Sequence, residues 1–256
     1  MMELPPEFLT GPIAHRAYHN SADGRPENSM AAINAAIDAG YSIEIDIQMS
    51  RDGCAMVFHD DNLDRLTDLS GAVADRTVAE LTGITLKNSA ETIPTLKAVL
   101  ATVNGRAPLL IEIKDQDGQL GPNVGALEKT VAADLVKYAG PVALMSFNPH
   151  SVAELARLAP GIPRGITTCA YLAKDWPGVP LETLNQLKPL PDVQRTGSCF
   201  ISHEASDLAN PVVASLKEDG LSILCWTIRS QDEEARARAV ADNVTFEGYP
   251  AVPPSA

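Results

Sequence analysis

The chain has 256 residues, a formal net charge of −13 at pH 7 and a pI near 4.7. This charge argues against nucleic acid or an anionic membrane as the main partner, because a surface that binds many phosphates should be basic. No apolar run approaches the ~20 residues of a membrane span, so we expect no membrane insertion. The start of the chain lacks the basic and apolar regions of a signal peptide. The four scattered cysteines form no Cys-x-x-Cys pair, and we expect reduced thiols in a cytoplasmic protein.

Short β-rich runs alternate with helical stretches along the chain. We predict a first strand over 11–16 and a helix that opens at Glu27-Asn28-Ser29 and stops at Gly40. A longer connection, 61–108, is polar and turn-rich before it becomes a helix through Leu96 and Leu100. Further strands are predicted over 109–114, 142–147, 164–168, 199–203, 222–228 and 243–247, and helices over 124–138, 150–158, 177–187, 211–219 and 230–241.

One pair of runs breaks the alternation. The run 43–48 places three isoleucines on one face and Glu44, Asp46 and Gln48 on the other. Asp52-Gly53 then separates it from 55–60, and this link is too short for a parallel crossover. We therefore predict an antiparallel hairpin in which His59 returns beside Glu44.

Eight parallel strands remain once the return arm of this hairpin is set aside. Eight β/α units in about 250 residues are typical of a closed TIM-type barrel. We predict one barrel domain over 1–256, with a projecting hairpin after the second strand and 61–108 as a short insertion. A doubly wound open sheet is the alternative, but it would want a Gly-rich phosphate loop after its first strand, and there is none.

Catalytic groups of such barrels lie at the C-terminal ends of the strands. Glu44, Asp46 and Glu112 offer carboxylate oxygens there, which suit a hard divalent cation such as Mg²⁺ or Ca²⁺. Phosphoryl chemistry would also use nearby proton carriers and positive charges better than sugar chemistry would. The residue types that could supply them are His15, His59, Arg16 and Lys114.

An ordered set of motifs carries a resemblance over nearly the whole chain. The set consists of His15-Arg16, Pro26-Glu27-Asn28-Ser29, Glu44-Ile45-Asp46, Asp52-Gly53 with His59-Asp60, Ile93-Pro94-Thr95-Leu96, Glu112-Ile113-Lys114, Ser146-Phe147 and Trp226-Thr227. Each motif alone is weak, but the ordered set is specific. The chain resembles the glycerophosphodiester phosphodiesterase family, and its cytosolic bacterial members in particular.

The resemblance implies metal-dependent hydrolysis of a small glycerophosphodiester to glycerol 3-phosphate and an alcohol. Glu44, Asp46 and Glu112 match the family's metal ligands, and His15 and His59 its acid/base pair. The resemblance also implies that Arg16 and Lys114 contact the phosphate. The alcohol group, the choice of Mg²⁺ or Ca²⁺ and the oligomeric state stay open.

Three further residues have two interpretations each. Glu27 and Asn28 either orient His15 or Arg16, or merely cap a helix. Trp226 either forms a wall of the substrate pocket or belongs to the barrel core.

The sequence also departs from the family pattern. Ala17 stands where a glycine usually follows His-Arg, and if that position needs a positive φ the alanine adds strain of about 1 kcal/mol. Arg229 replaces a common asparagine, and Phe246-Glu247-Gly248 replaces the usual end of the last strand. The departures at Ala17 and the last strand leave open a non-catalytic barrel that binds a phosphate ligand. A phospholipase-D-like activity on lysophospholipids is a second alternative, within the same fold.

Overall fold

The strands form a closed barrel. The structure is a computed structural model that describes residues 2–252. Eight strands run parallel in the order β1-β9-β8-β7-β6-β5-β4-β2, and β1 pairs with β2 to close the ring. The ninth, β3, is antiparallel to β2. The strands are β1 Ile13–Ala14, β2 Ser42–Met49, β3 Ala55–Val57, β4 Leu109–Ile113, β5 Val142–Ser146, β6 Arg164–Thr168, β7 Phe200–Glu204, β8 Ser222–Ile228 and β9 Asn243–Phe246. The predicted TIM-type barrel with a projecting hairpin is confirmed.

The helices lie between the strands, and the longer ones follow the predictions. Helix α2 begins at the cap Ser29, whose side chain accepts from Ala32 N, and ends at Gly40 with a φ of 75°. The helices are α1 Glu7–Thr10, α2 Met30–Ala39, α3 Val78–Leu81, α4 Leu96–Val103, α5 Ala126–Leu135, α6 Pro149–Leu158, α7 Leu181–Leu187, α8 Asp192–Thr196, α9 Pro211–Glu218 and α10 Gln231–Ala237. The sequence did not indicate α1, α3 or α8, because four or five residues are too few to show a helical period.

Alternation along the strands divides the core into two parts. The isoleucines of β2 pack outwards against the helices, in the large cluster that also contains Val131 and Val152. A second cluster, with Phe8, Phe200 and Leu224, fills one end of the barrel interior. Gly165 is required there, because a Cβ at that position would lie 2.5 Å from the Phe200 ring. The other end of the interior is left to polar side chains.

The hairpin has a different register from the one predicted. Ile47 pairs with Val57 and Gln48 with Met56, so continued pairing would place residue 59 opposite Ile45 rather than Glu44. The ladder in fact ends at Val57, and His59 lies beyond it in a loop. The prediction that His59 is paired beside Glu44 was therefore wrong in detail, although the hairpin does bring the two residues to one cavity.

The connection between β3 and β4 has a small core of its own. Eight buried apolar side chains form it: Met56, Phe58, Leu63, Val73, Leu81, Ile84, Leu86 and Ile93. This cluster fixes the segment that follows His59 against the barrel. Within residues 2–252, no helix combines the length and apolarity that a bilayer crossing requires.

Candidate active site

Three buried carboxylates meet at the C-terminal ends of two neighbouring strands. Glu44 and Asp46 lie on β2 and Glu112 on β4, where the register sets Asp46 beside Glu112. One oxygen of each lies within 4.8 Å of the others. The side chains share a face because residues two apart on a strand point the same way. The structure thus brings together the predicted metal-ligand set.

Lys114 partly neutralises this cluster. Its Nζ lies 2.7 Å from both Asp46 Oδ1 and Glu112 Oε1. Burial opposes the ionisation of Asp46, but the charges of Lys114, His59, Arg16 and His15 together outweigh it and lower the pKa of that carboxyl. Burial, together with the charges of Asp46 and Glu112, raises the pKa of Glu44 well above its ordinary value. A second positive charge beside Glu44 would relieve this repulsion, so the all-oxygen donor set fits a divalent cation.

Arg16 is placed by the turn after β1. Its backbone N–H donates to Glu44 Oε2 at 2.7 Å, and its Nη1 donates to Glu27 Oε1 at 2.8 Å. Arg16 and Ala17 both have positive φ values, 50° and 64°. The left-handed conformation that the family glycine suggested is thus present at Ala17.

Glu27 and Asn28 have separate contacts. The side chain of Glu27 holds Arg16, as the orienting interpretation expected. Asn28 instead donates from Nδ2 to Asp46 Oδ2 at 2.9 Å, while its Oδ1 accepts from the Asp46 N–H at 3.2 Å. Neither residue caps the helix, because Ser29 does. Asn28 therefore fixes a candidate metal ligand, which the sequence had not indicated.

Each of the two histidines has a carboxylate on Nδ1. His15 Nδ1 lies 2.6 Å from Glu247 Oε2, and His59 Nδ1 lies 2.7 Å from Asp60 Oδ1. An arginine holds each carboxylate in turn. Arg229 Nε donates to Glu247 Oε1 at 2.8 Å. Arg65 Nε donates to Asp60 Oδ2 at 2.7 Å.

Glu247 is the contact that the sequence reasoning missed. In the sequence, Glu247 stands out only as a departure from the family pattern at the last strand. The available signal was the position of an acidic residue directly after the last barrel strand, since barrel closure puts β9 beside β1. Burial lowers the pKa of His15 in spite of the Glu247 hydrogen bond, which raises it. A neutral imidazole that donates from Nδ1 to a charged carboxylate satisfies both groups.

These side chains line one cavity of about 140 Å³. It is bordered by both histidines, the three carboxylates, Arg16 and Lys114, and on another side by Phe147 and Trp226. Trp226 is half-buried, donates from Nε1 to Ser202 O at 2.9 Å, and packs edge-on against Phe147 with ring centroids 5.5 Å apart. It borders the cavity and also packs against the core between the strands and helices.

A second cavity of about 620 Å³ adjoins the first. The two share His59, Glu112, Lys114 and Phe147. Arg65 from the 61–108 connection and Trp176 border the larger space. Of the three carboxylates, Glu112 borders both cavities, whereas Glu44 and Asp46 line only the smaller one.

The sequence profile of the glycerophosphoryl diester phosphodiesterase family matches residues 15–243. The chain belongs to this family. Membership gives its enzyme class, a phosphoric diester hydrolase. The match begins at His15 and ends before Glu247, so the carboxylate that contacts His15 lies outside it.

Curated relatives and solved structures agree with the family. The Bacillus subtilis protein YhdW is 30% identical over 247 residues, 93% of this chain and 94% of that protein. A glycerophosphodiester phosphodiesterase of Caldanaerobacter subterraneus is 28% identical over 242 residues, 91% of each. A phosphodiesterase of Oleispira antarctica, solved with the product sn-glycerol-3-phosphate, has a TM-score of 0.76 at 24% identity and covers 95% of this chain and 94% of that one. This last likeness supports the fold.

Proposed function

We propose that this protein hydrolyses glycerophosphodiesters to glycerol 3-phosphate and an alcohol. The observation that carries the proposal is the cavity in which two imidazoles, each with a carboxylate on Nδ1, border a cluster of three carboxylates together with Arg16 and Lys114. The product seen in the Oleispira antarctica structure belongs to that protein, and it supports the same substrate class here.

Glu44, Asp46 and Glu112 would hold the divalent cation, Mg²⁺ or Ca²⁺. When bound, the cation would supply positive charge for the phosphoryl oxygens. Arg16 presents a forked donor that matches a phosphate, and Lys114 adds a further positive charge. Asn28 and Glu27 keep Asp46 and Arg16 in place.

The histidines divide the proton transfers between them. His15 suits the general base, since burial lowers the pKa of its imidazole and Nδ1–H donation to Glu247 leaves Nε2 free to accept. It takes the proton of the nucleophile, which is water or the glycerol 2-hydroxyl. Attack by the 2-hydroxyl leaves a cyclic phosphate, which a water molecule must then open to give glycerol 3-phosphate. As the new P–O bond forms and the bond to the alcohol breaks, His59 protonates the leaving oxygen.

The test is release of glycerol 3-phosphate from glycerophosphocholine and glycerophosphoethanolamine, with Mg²⁺ or Ca²⁺ and with chelator. We expect metal-dependent release, and loss of most turnover in His15→Ala and His59→Ala with the fold retained. A fully active His59→Ala enzyme would remove the acid assignment. Tight binding of the diester without turnover would favour the non-catalytic barrel, and turnover of lysophospholipids alone would favour the phospholipase-D-like activity.

Two further expectations stay proposals. A single domain over 1–256 is supported by the family match across most of the chain. A cytoplasmic setting is supported by the four cysteines, Cys54, Cys169, Cys199 and Cys225, which are all free thiols.

A further inference from the structure

Arg65 forms four hydrogen bonds, two to each of two carboxylates beside the active site. Its Nε and Nη2 donate to Asp60 Oδ2 and Oδ1 at 2.7 and 2.8 Å. Its Nη1 and Nη2 donate to Glu27 Oε2 and Oε1, both at 2.8 Å. The planar guanidinium thus presents one edge to each carboxylate. We call Asp60, Arg65 and Glu27 the arginine bridge.

The two ends of the arginine bridge contact different groups of the proposed reaction. Asp60 Oδ1, which accepts from Arg65 Nη2, also lies 2.7 Å from His59 Nδ1. Glu27 Oε1, which accepts from the same Nη2, also accepts from Arg16 Nη1 at 2.8 Å. A single nitrogen atom therefore connects the support of the proposed general acid with the support of the proposed phosphate ligand.

The histidine on the other side of the cavity lacks such a connection. The carboxylate on His15 is Glu247, which accepts from Arg229 Nε at 2.8 Å. Within residues 2–252, the Arg229 side chain forms no hydrogen bond to a second carboxylate. The link to the phosphate-binding side is thus specific to His59.

The backbone that carries Arg65 is anchored in the small core of the 61–108 connection. Leu63 and Thr67, two residues before and after it, have relative exposures of 0% and 1%. The Thr67 N–H and hydroxyl both donate to Leu63 O at 3.0 Å, and Lys87 Nζ donates to Arg65 O at 3.2 Å. A fixed turn and four side-chain hydrogen bonds leave the guanidinium little freedom, so the arrangement exists before substrate binds.

Stability alone does not account for the arginine bridge. The Arg65 side chain is 46% exposed, and ion pairs at such exposure usually contribute little to the free energy of folding. Two forked contacts do supply geometry, because a rigid planar guanidinium fixes the distance and orientation between the two carboxylates. The carboxylates in turn fix the side chains of His59 and Arg16.

We propose that Arg65 is a positioning residue, which holds His59 and Arg16 in a fixed relative position through Asp60 and Glu27. The leaving oxygen and the phosphoryl group then meet these two side chains in one geometry. This inference rests on the proposed function and deepens it. It also gives the 61–108 connection a part in catalysis, since that segment carries Arg65.

The first test compares two glycerophosphodiesters that differ in their leaving group. Glycerophosphocholine releases an alkoxide that needs a proton, whereas the p-nitrophenyl ester of glycerol 3-phosphate releases a phenolate that needs none. If Arg65 positions the acid, Arg65→Met should lower kcat for glycerophosphocholine about tenfold or more, and for the p-nitrophenyl diester about threefold at most. KM should rise by the same factor for both diesters, because Arg16 contacts the phosphate that they share.

Two further variants complete this test. Arg65→Lys should resemble Arg65→Met, because one ammonium group cannot form a fork with each carboxylate. Arg195→Met is the matched control, since the Arg195 side chain is 45% exposed, pairs with Asp192, and lies on α8 outside both cavities. Equal losses of kcat on the two diesters, or an Arg65→Lys enzyme as active as the wild type, would overturn the inference.

The second test asks whether the two ends of the arginine bridge are coupled. No hydrogen bond joins Asp60 to Glu27 directly within residues 2–252. If Arg65 joins them, the losses in kcat/KM of Asp60→Asn and Glu27→Gln should depart from additivity by about threefold or more. In the Arg65→Met background the losses should be additive. Additive losses in the presence of Arg65 would overturn the inference, and this measurement does not require Arg65→Met to fold.

A crystal structure of metal-loaded Arg65→Met separates this inference from the activity. We expect His59 or Arg16 to leave its position as Asp60 and Glu27 lose their shared donor. If both side chains stay in place, the inference is overturned even where turnover has fallen. A wild type that hydrolyses neither diester would refute the proposed function, while the positions of His59 and Arg16 in the variant would still test the arginine bridge.

Discussion

Replacing Glu247 removes the carboxylate that contacts His15 Nδ1. Glu247→Ala leaves the imidazole without this acceptor and also releases Arg229. Glu247→Gln keeps an oxygen at the same place but loses the charge. If Glu247 positions His15 as a base, the two variants should differ in activity while both remain folded.

The magnitude follows from the contact. A hydrogen bond to a charged group contributes roughly 1.5–3 kcal/mol. If the bond is needed in the transition state, its loss lowers kcat of Glu247→Ala about ten- to 150-fold, at about 1.4 kcal/mol for each factor of ten. A bond to a neutral acceptor is about half as strong, so Glu247→Gln should retain more activity. KM should change little, because the substrate contacts are untouched.

The pH profile gives a second measurement. Burial lowers the pKa of His15, while the hydrogen bond to Glu247 and the charges of Asp46 and Glu247 raise it; the charge of Arg16 adds to the lowering. Without Glu247, burial and the charge of Arg16 lower the pKa of His15 further, so the acid limb of kcat/KM should move to lower pH. His19, 3.6 Å from Glu247, and Arg229 also face this carboxylate, so His19→Gln should be profiled beside it.

The assay is metal-saturated turnover of glycerophosphocholine between pH 5 and 9. Glu154→Gln is the control, because Glu154 is also paired with an arginine, Arg157, but lies on α6 outside the cavity. A Glu247→Ala enzyme within twofold of the wild type in kcat, with an unmoved acid limb, would refute the reasoning. So would a variant whose loss appears only in KM.

Three more predictions concern the charged groups of the site. Lys114→Met should lower the free energy of unfolding by about 3–5 kcal/mol in chelator, because it leaves buried carboxylates unpaired. Urea titration should show a smaller loss when Mg²⁺ is present, and an equal loss in both conditions would contradict the shared cation site. Saturating metal at about 100 times Kd should stabilise the wild type by about 2.7 kcal/mol, or roughly 5–10 °C in Tm, and Glu112→Gln should show less than half of that shift in a thermal scan. Acid should destabilise the protein in two windows. Below the ordinary His pKa of 6.5, His15 takes up a proton in the unfolded state more readily than in the folded state, since burial lowers the pKa of its imidazole. Below the ordinary Glu pKa of 4.5, Glu247 likewise takes up a proton more readily in the unfolded state, since the hydrogen bond from His15 lowers the pKa of its carboxyl in the folded state. Glu44 acts in the opposite direction, because its raised pKa lets the folded state take up a proton above pH 4.5. Unfolding curves from pH 8 to 4 are therefore compared between the wild type and His15→Gln, and an equal change in both between pH 6.5 and 5 would contradict the His15 effect.

Local patterns were enough to predict most of the architecture. The alternation in 43–48, the turn at Asp52-Gly53 and the runs before each helix are short-range signals, and all of them appear as strands or turns in the barrel. The same alternation predicted that Glu44 and Asp46 share a face. A period can be read from a few consecutive residues because it reflects backbone geometry. Helices as short as α3 and α8 contain too few residues to show one.

The site depended on contacts that join distant parts of the chain. His15 and Glu247 are 232 positions apart and meet only because β9 closes the barrel against β1. Thr167, Ser202 and Thr245 likewise line one cavity only because β6, β7 and β9 enclose it. The register of the hairpin, and hence the place of His59, was also decided in the folded state. Sequence determined which residue types stand at the strand ends, and ring closure determined which of them touch, because closure sets the distance between strands that no local period encodes.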